Sequence, residues 1–68
     1  MIDKYAVVVF MGNESKSIDC DSHGQAIAVF RRCVALDMGN EVIAYRNGAK
    51  IQRAYRGAYG HMKMEYQE

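Results

Sequence analysis

Apolar residues follow two different rhythms along this chain. From Lys4 to Met11 (KYAVVVFM) almost every position is apolar and rich in Val, with Tyr and Phe. That composition favours a strand, and apolarity on both faces suits a central strand covered on both sides. Gly12-Asn13 is a turn dipeptide, and residues 15–20 (SKSIDC) form a more polar second strand. A two-residue turn pairs Val7 with Ile18 and Tyr5 with Cys20, which predicts one core face of Tyr5, Val7, Ile18 and Cys20. Ala6, Val8 and Phe10 then point the other way, opposite Asp19, Ser17 and Ser15, so the second face is only half apolar.

After Asp21 the rhythm changes to a helical one. At about 100° per residue, Ala26, Ile27, Val29, Phe30, Cys33, Val34 and Leu36 gather on one broad side, with Gln25, Arg31 and Arg32 outside it. Ser22 is placed as N-cap, and Gln25 is placed to close a capping box by reaching back to the Ser22 backbone N–H. Gly39 followed by Asn40 is the expected stop, Gly39 taking the left-handed conformation past the last turn. The apolar arc is wider than a helix lying on one small sheet requires. It fits a helix sunk deep into its sheet, or one with a second contact such as a dimer partner.

Residues 41–56 (EVIAYRNGAKIQRAYR) return to strand chemistry. Asn47-Gly48 between two apolar runs predicts a two-residue type I′ hairpin, because both central positions need a positive φ. This register pairs Arg46 with Ala49, Ala44 with Ile51 and Val42 with Arg53. One face then holds Val42, Ala44, Ile51 and Tyr55, and the other Ile43, Tyr45, Lys50, Gln52 and Ala54. A three-residue loop would instead bring Ile43, Tyr45 and Ile51 together. Gly57-Ala58-Tyr59-Gly60 reads as a link, and residues 61–66 alternate with period two: Met62, Met64 and Tyr66 against His61, Lys63 and Glu65. That tail is a short edge strand or a frayed end.

The predicted fold is therefore α+β, a single small domain over residues 1–57. Its order is β-β-α-β-β, with a fifth strand if the tail at 58–68 pairs, and one helix packs on a mainly antiparallel sheet. Val8, Phe10, Ile43 and Tyr45 are left on the face away from the helix and need the tail, a second copy or a partner to cover them.

Composition narrows this further. Sixty-eight residues allow one modest core, and the apolar run at Tyr5–Met11 is too short to span a bilayer. The opening Met-Ile-Asp-Lys is not a signal peptide, which predicts a cytoplasmic protein. Cys20 and Cys33 are too few for a disulfide scaffold and read as buried free thiols, a bridge between them being the alternative. The net charge is only +1, but it is unevenly spread. Residues 1–41 hold six acids and four bases, whereas residues 42–64 hold five bases and no acid.

Candidate chemistry is sparse. Cys20-x-x-His23 with Cys33 or His61 has zinc-ligand types, but no paired C-x-x-C accompanies them and both cysteines fall on apolar faces. A cysteine nucleophile would need a base and a group orienting it, and no third member is recognisable. Asp19 and Asp21 read as a solvated strand end leading into the helix cap. Gly57-x-x-Gly60 lacks the lysine and helix of a phosphate loop. No cofactor, metal site or enzyme activity is predicted.

Binding is the better expectation. Arg46, Lys50, Arg53 and Arg56, interleaved with Tyr45, Tyr55 and Tyr59, suit a protein contact, since Tyr and Arg dominate interface hot spots. The same residues also suit phosphates and unpaired bases, or simply a soluble edge hairpin protected by charge. The near-neutral total favours a protein partner, with Tyr45, Arg46, Lys50, Arg53, Tyr55 and Arg56 as the contact. An RNA- or single-stranded-DNA-binding module is the alternative, no membrane contact is expected, and a homodimer is compatible with the apolar outer face.

Two short stretches resemble known families. Val8-Val9-Phe10-Met11-Gly12 followed by Asn13-Glu14-Ser15 looks like the opening of the Dmd antitoxin family of T-even phages, a likeness that ends by about Ile18. Ala26, Gly39-Asn40-Glu41-Val42-Ile43, Asn47-Gly48 and Ile51, within residues 22–51, are similar to a small bacterial domain family of unknown function. The first resemblance implies a phage protein that neutralises a host ribonuclease toxin by direct contact, in the host cytoplasm if phage-encoded. The wider expectation is a phage or bacterial accessory protein that binds, and can inhibit, a host protein such as a nuclease, toxin or defence factor. Neither resemblance assigns a site residue.

Overall fold

The structure is a computed structural model, and it describes residues 3–36, 39–56 and 62–66. Strands β1 (Tyr5–Met11) and β2 (Glu14–Cys20) precede helix α1 (His23–Ala35); β3 (Glu41–Arg46), β4 (Ala49–Arg56) and β5 (Met62–Tyr66) follow it. All pair antiparallel in one sheet of order β2-β1-β3-β4-β5. The α+β order expected from the sequence is present, and residues 62–66 supply the fifth strand. The helix carries the chain from edge strand β2 across β1 to β3, so β1 acquires a neighbour on each side. That position explains its Val-rich run.

The core lies between the helix and one face of the sheet. Phe30, Ala26 and Cys33 pack on Val7, Val9, Val42, Ala44, Ile51 and Ala54, with Tyr5, Met11, Ile27, Val29 and Val34 around them. Phe30 and Val7 are fully buried; removing a buried aromatic ring from such a site costs on the order of 3–5 kcal/mol. The first hairpin has the predicted register, Val7 opposite Ile18 and Tyr5 opposite Cys20. Ile18 nevertheless stays 37% exposed, because it lies on an edge strand where the helix gives little cover. Leu36, expected on the buried arc, is 63% exposed at the C-cap, one residue past the last helical turn.

Three local expectations are corrected. Ser22 Oγ does accept from the Gln25 N–H at 3.1 Å, but the Gln25 side chain accepts from the Asp21 N–H, one residue before the cap. The helix ends at Ala35 with Leu36 as C-cap, so Gly39 does not stop it. Gly39 does have a φ of +65°, but its service is to β1: a Cβ there would stand 2.5 Å from the Phe10 carbonyl oxygen. Next to it, the Asn40 N–H donates to that same carbonyl at 2.8 Å, and the Asn40 carbonyl accepts from the Arg56 N–H.

The third correction concerns the second hairpin. Asn47 and Gly48 have φ of 52° and 84°, both positive as a type I′ turn requires. Arg46 pairs with Ala49 and Tyr45 with Lys50, after which the register shifts and Ala44 meets Gln52. A bulge at Ile51 thus takes up one residue of β4. Val42 consequently pairs with Ala54, not Arg53. Ala54 turns into the core, while Arg53 and Tyr55 move to the opposite face. Gln52, expected with Ile43 and Tyr45, lies opposite Ala44 on the helix side instead, and among the described residues its Oε1 is buried without a donor.

Gly39→Ala should destabilise the protein by more than about 1 kcal/mol in a urea titration, through both its φ and the clash with β1. Gly12→Ala is the control: Gly12 shares the φ of +65°, yet nothing lies within 4 Å of its Cβ position. The Gly39 variant should lose clearly more stability. Equal losses would show that the close approach is unimportant.

Candidate functional site: the open face of the sheet

Alternation from the core residues places Ala6, Val8 and Phe10 of β1 and Glu41, Ile43 and Tyr45 of β3 on the face away from α1. Cross-strand pairing extends this face into three rows. The first runs Asp19, Ala6, Tyr45, Lys50; the second Ser17, Val8, Ile43, Arg53 and on to position 65 of β5; the third Ser15, Phe10, Glu41, Tyr55, Lys63. Among the described residues no second element packs on these rows. Ile43 is 3% exposed between its neighbours, while Ala6, Val8, Phe10, Tyr45 and Tyr55 are half-buried.

Of the six contact residues expected from the sequence, the structure brings four together here: Tyr45, Lys50, Arg53 and Tyr55. Arg53 Nε donates to Glu41 Oε2, and its guanidinium lies 4.4 Å from the centre of the Tyr55 ring. This pairing follows from the bulge, which sets Arg53 opposite Ile43 and Tyr55 opposite Glu41. A guanidinium stacked on an aromatic ring while its charge is met by a carboxylate is a rigid, largely neutral contact element.

Arg46 and Arg56 lie elsewhere. Arg46, on the core-side alternation with Ala44, forms a 3.0 Å ion pair with Asp3. Arg56, in line with Ala54, donates to the Gly39 carbonyl oxygen at 2.9 Å. The basic block that looks continuous in sequence is thus divided between two faces. Tyr59 and His61, named as further candidates, lie outside the described residues, as do the side chains of Met62, Met64 and Tyr66.

The residue that sequence reasoning undervalued is Asn47. Besides forming the turn, its side chain accepts from the Lys4 N–H at 2.8 Å and donates to Asp3 Oδ1 at 3.0 Å, while its own N–H donates to the Lys4 carbonyl. It locks the entry to β1 onto the tip of the β3–β4 hairpin. The Asn47 hydrogen bond, with help from Arg46, holds the Asp3 carboxyl below its ordinary pKa. A dipeptide turn signal carries no hint of that reach.

A cleft of about 420 Å³ opens at the ends of β1 and β2, lined by Asp3, Lys4, Tyr5, Asp19, Cys20 and Asp21. His23 meets Tyr5 edge-on at 5.8 Å nearby. Burial, then the charges of Asp19 and Asp21, raise the pKa of Cys20, and burial raises that of Cys33. Both are free thiols, held in the protonated form that neither attacks nor ligates well. Among the described residues no group of three or more His, Cys, Asp or Glu is placed to hold a metal ion, and no helix is long and apolar enough to cross a membrane.

No family model, curated protein or solved structure matches the chain. Among the described residues the chain is a small α+β domain whose helix covers one face of the sheet, with no second element on the other.

Asp3 has a depressed folded-state pKa, so the stability it contributes is present above the unfolded carboxylate value and is lost as pH falls through the folded one. Asp3→Asn should therefore flatten part of the stability loss seen below about pH 4, measured by thermal melts across pH 2–6. An unchanged acid limb would contradict the Asn47–Asp3–Arg46 cluster. In a separate check, Cys20 and Cys33 should react with a thiol reagent at least about tenfold more slowly in native protein than in denaturant.

Proposed function

We propose that this chain is a small non-enzymatic binding protein whose contact surface is the open face of the sheet. The observation that carries the reading is the face itself. Six partly or fully apolar side chains on adjoining strands, Ala6, Val8, Phe10, Ile43, Tyr45 and Tyr55, surround one internally neutralised Arg53–Glu41 pair. An apolar centre with Tyr and Arg and little net charge has the chemistry of a protein interface. The finer role, an accessory protein of phage or bacterial origin that blocks a host nuclease, toxin or defence factor, rests on the likeness of β1 to the Dmd antitoxins.

Nucleic-acid binding is the weaker alternative. Arg53 is taken up by Glu41 and Arg46 by Asp3, while Arg56 is turned to the Gly39 carbonyl. Of the four hairpin bases, Lys50 alone is left on the open face without an acidic neighbour among the described residues. With Lys63 of β5, opposite Tyr55, that makes two lysines, which give little counterion release.

Affinity capture from host lysate should recover a partner with wild type and lose it by roughly thirtyfold with Phe10→Ser, Tyr45→Ser, the size of a lost hot spot. Arg31→Glu, Arg32→Glu, on the exposed side of the helix, should capture normally. If the open-face variant captures the same protein as wild type, the interface is elsewhere. Anisotropy titrations with single-stranded oligonucleotides at low salt should show no binding, and tight salt-sensitive binding would favour the alternative.

A further inference from the structure

The three rows of the open face are self-complementary under a two-fold axis, and from this we propose that a second copy of the chain occupies that face in the free protein. The inference rests on the reading of the face as a protein-binding surface and names its occupant.

The argument uses only strand order and register. Consider an axis parallel to the strands, lying between two facing sheets and running along the boundary of β1 and β3. It lays β1 of one copy over β3 of the other, and β2 over β4, while leaving each row at its own height. This is the aligned packing of sheet sandwiches. In the first row, Asp19 of one copy then meets Lys50 of the other, and Ala6 lies beneath Tyr45. In the second, Val8 lies over Ile43, which is already buried in the single chain, and Ser17 meets Arg53. In the third, Phe10 lies against Glu41, whose charge Arg53 already takes up, and Ser15 lies against Tyr55.

Each of these contacts occurs twice, as an isologous interface demands. Ala6 and Ser15 lie over Tyr45 and Tyr55, Val8 over Ile43, and Asp19 of β2 over Lys50 of β4. Asp19 and Lys50 are both exposed, and among the described residues neither forms an ion pair within its own chain. Three strands of separation keep them apart in the monomer: at about 4.8 Å per strand they lie roughly 14 Å from each other.

The area sets the strength. Four overlapping strands of about six residues give a flat footprint of roughly 19 by 20 Å. That falls below the ~800 Å² per partner of standard interfaces, so the dimer is reversible and concentration-dependent. A different protein can displace one copy and use the same face.

The test is sedimentation velocity across a concentration series. Wild type should pass from monomer to dimer. Asp19→Lys alone and Lys50→Asp alone each place like charges at both rims and should weaken the dimer by roughly tenfold or more. An equimolar mixture of the two variants puts opposite charges at both rims and should recover dimer to within about threefold of wild type. That recovery also shows both variants to be folded.

Three results would overturn the proposal: wild type that stays monomeric throughout, single variants that dimerise like wild type, or a mixture that fails to recover. None of these touches the capture experiment with Phe10→Ser, Tyr45→Ser. A monomeric protein that loses its captured partner in that variant removes the second copy and keeps the binding face.

Discussion

The packing of α1 onto the β1–β3 pair is the contact on which the rest of this structure depends. Phe30, Ala26 and Cys33 close over Val7, Val9, Val42 and Ala44, and burial of such side chains contributes roughly 1.5–3 kcal/mol each for the large ones. A helix of 13 residues is about 20 Å long. It can seal one face of a sheet and has nothing left for the other. Every apolar side chain that alternation sends to the far face is thus a consequence of building five strands with one helix.

The two ends of the β1–β3 pair are held by devices that cost little chain. At one end Asn47 ties the hairpin tip to Lys4 and Asp3; at the other, Gly39 and Asn40 sit against the Phe10 carbonyl and hand the chain on to β4 through Arg56. Both use a backbone with positive φ, at Asn47 for the turn and at Gly39 for close approach to β1. Together they fix the alignment of β1 with β3. That alignment decides which side chains share a row on the open face, so the order of the proposed binding surface is inherited from these small contacts.

Much of the fold was legible because turn chemistry and alternation agree. The Gly12-Asn13 turn sets the Val7–Ile18 register, the Ser22 cap marks the helix start, and Asn47-Gly48 marks the second turn. The bulge at Ile51 was not legible. No Gly or Pro signals it, and it is required by the fit of Ile51 and Ala54 against the helix side, a tertiary demand that no local pattern carries. Missing it misplaced Gln52, Arg53, Ala54 and Tyr55. The candidate site was half legible for the same reason. Tyr45 and Lys50 precede the bulge and keep their predicted face, whereas the neutralisation of Arg53 by Glu41 and of Arg46 by Asp3 depends on register and on contacts more than forty positions apart.

The central claim is that one sheet face is sealed by the helix and the other is a protein-binding surface that a second copy covers. Its most direct test is methyl relaxation by a soluble paramagnetic chelate, followed from dilute to concentrated protein. Val8 should be accessible when dilute and become protected as concentration rises, while Leu36 at the helix end stays accessible and Val7 stays protected throughout. A Val8 signal that is protected even in the most dilute sample would mean that the chain covers its own face, and one that never becomes protected would mean that no second copy comes to it.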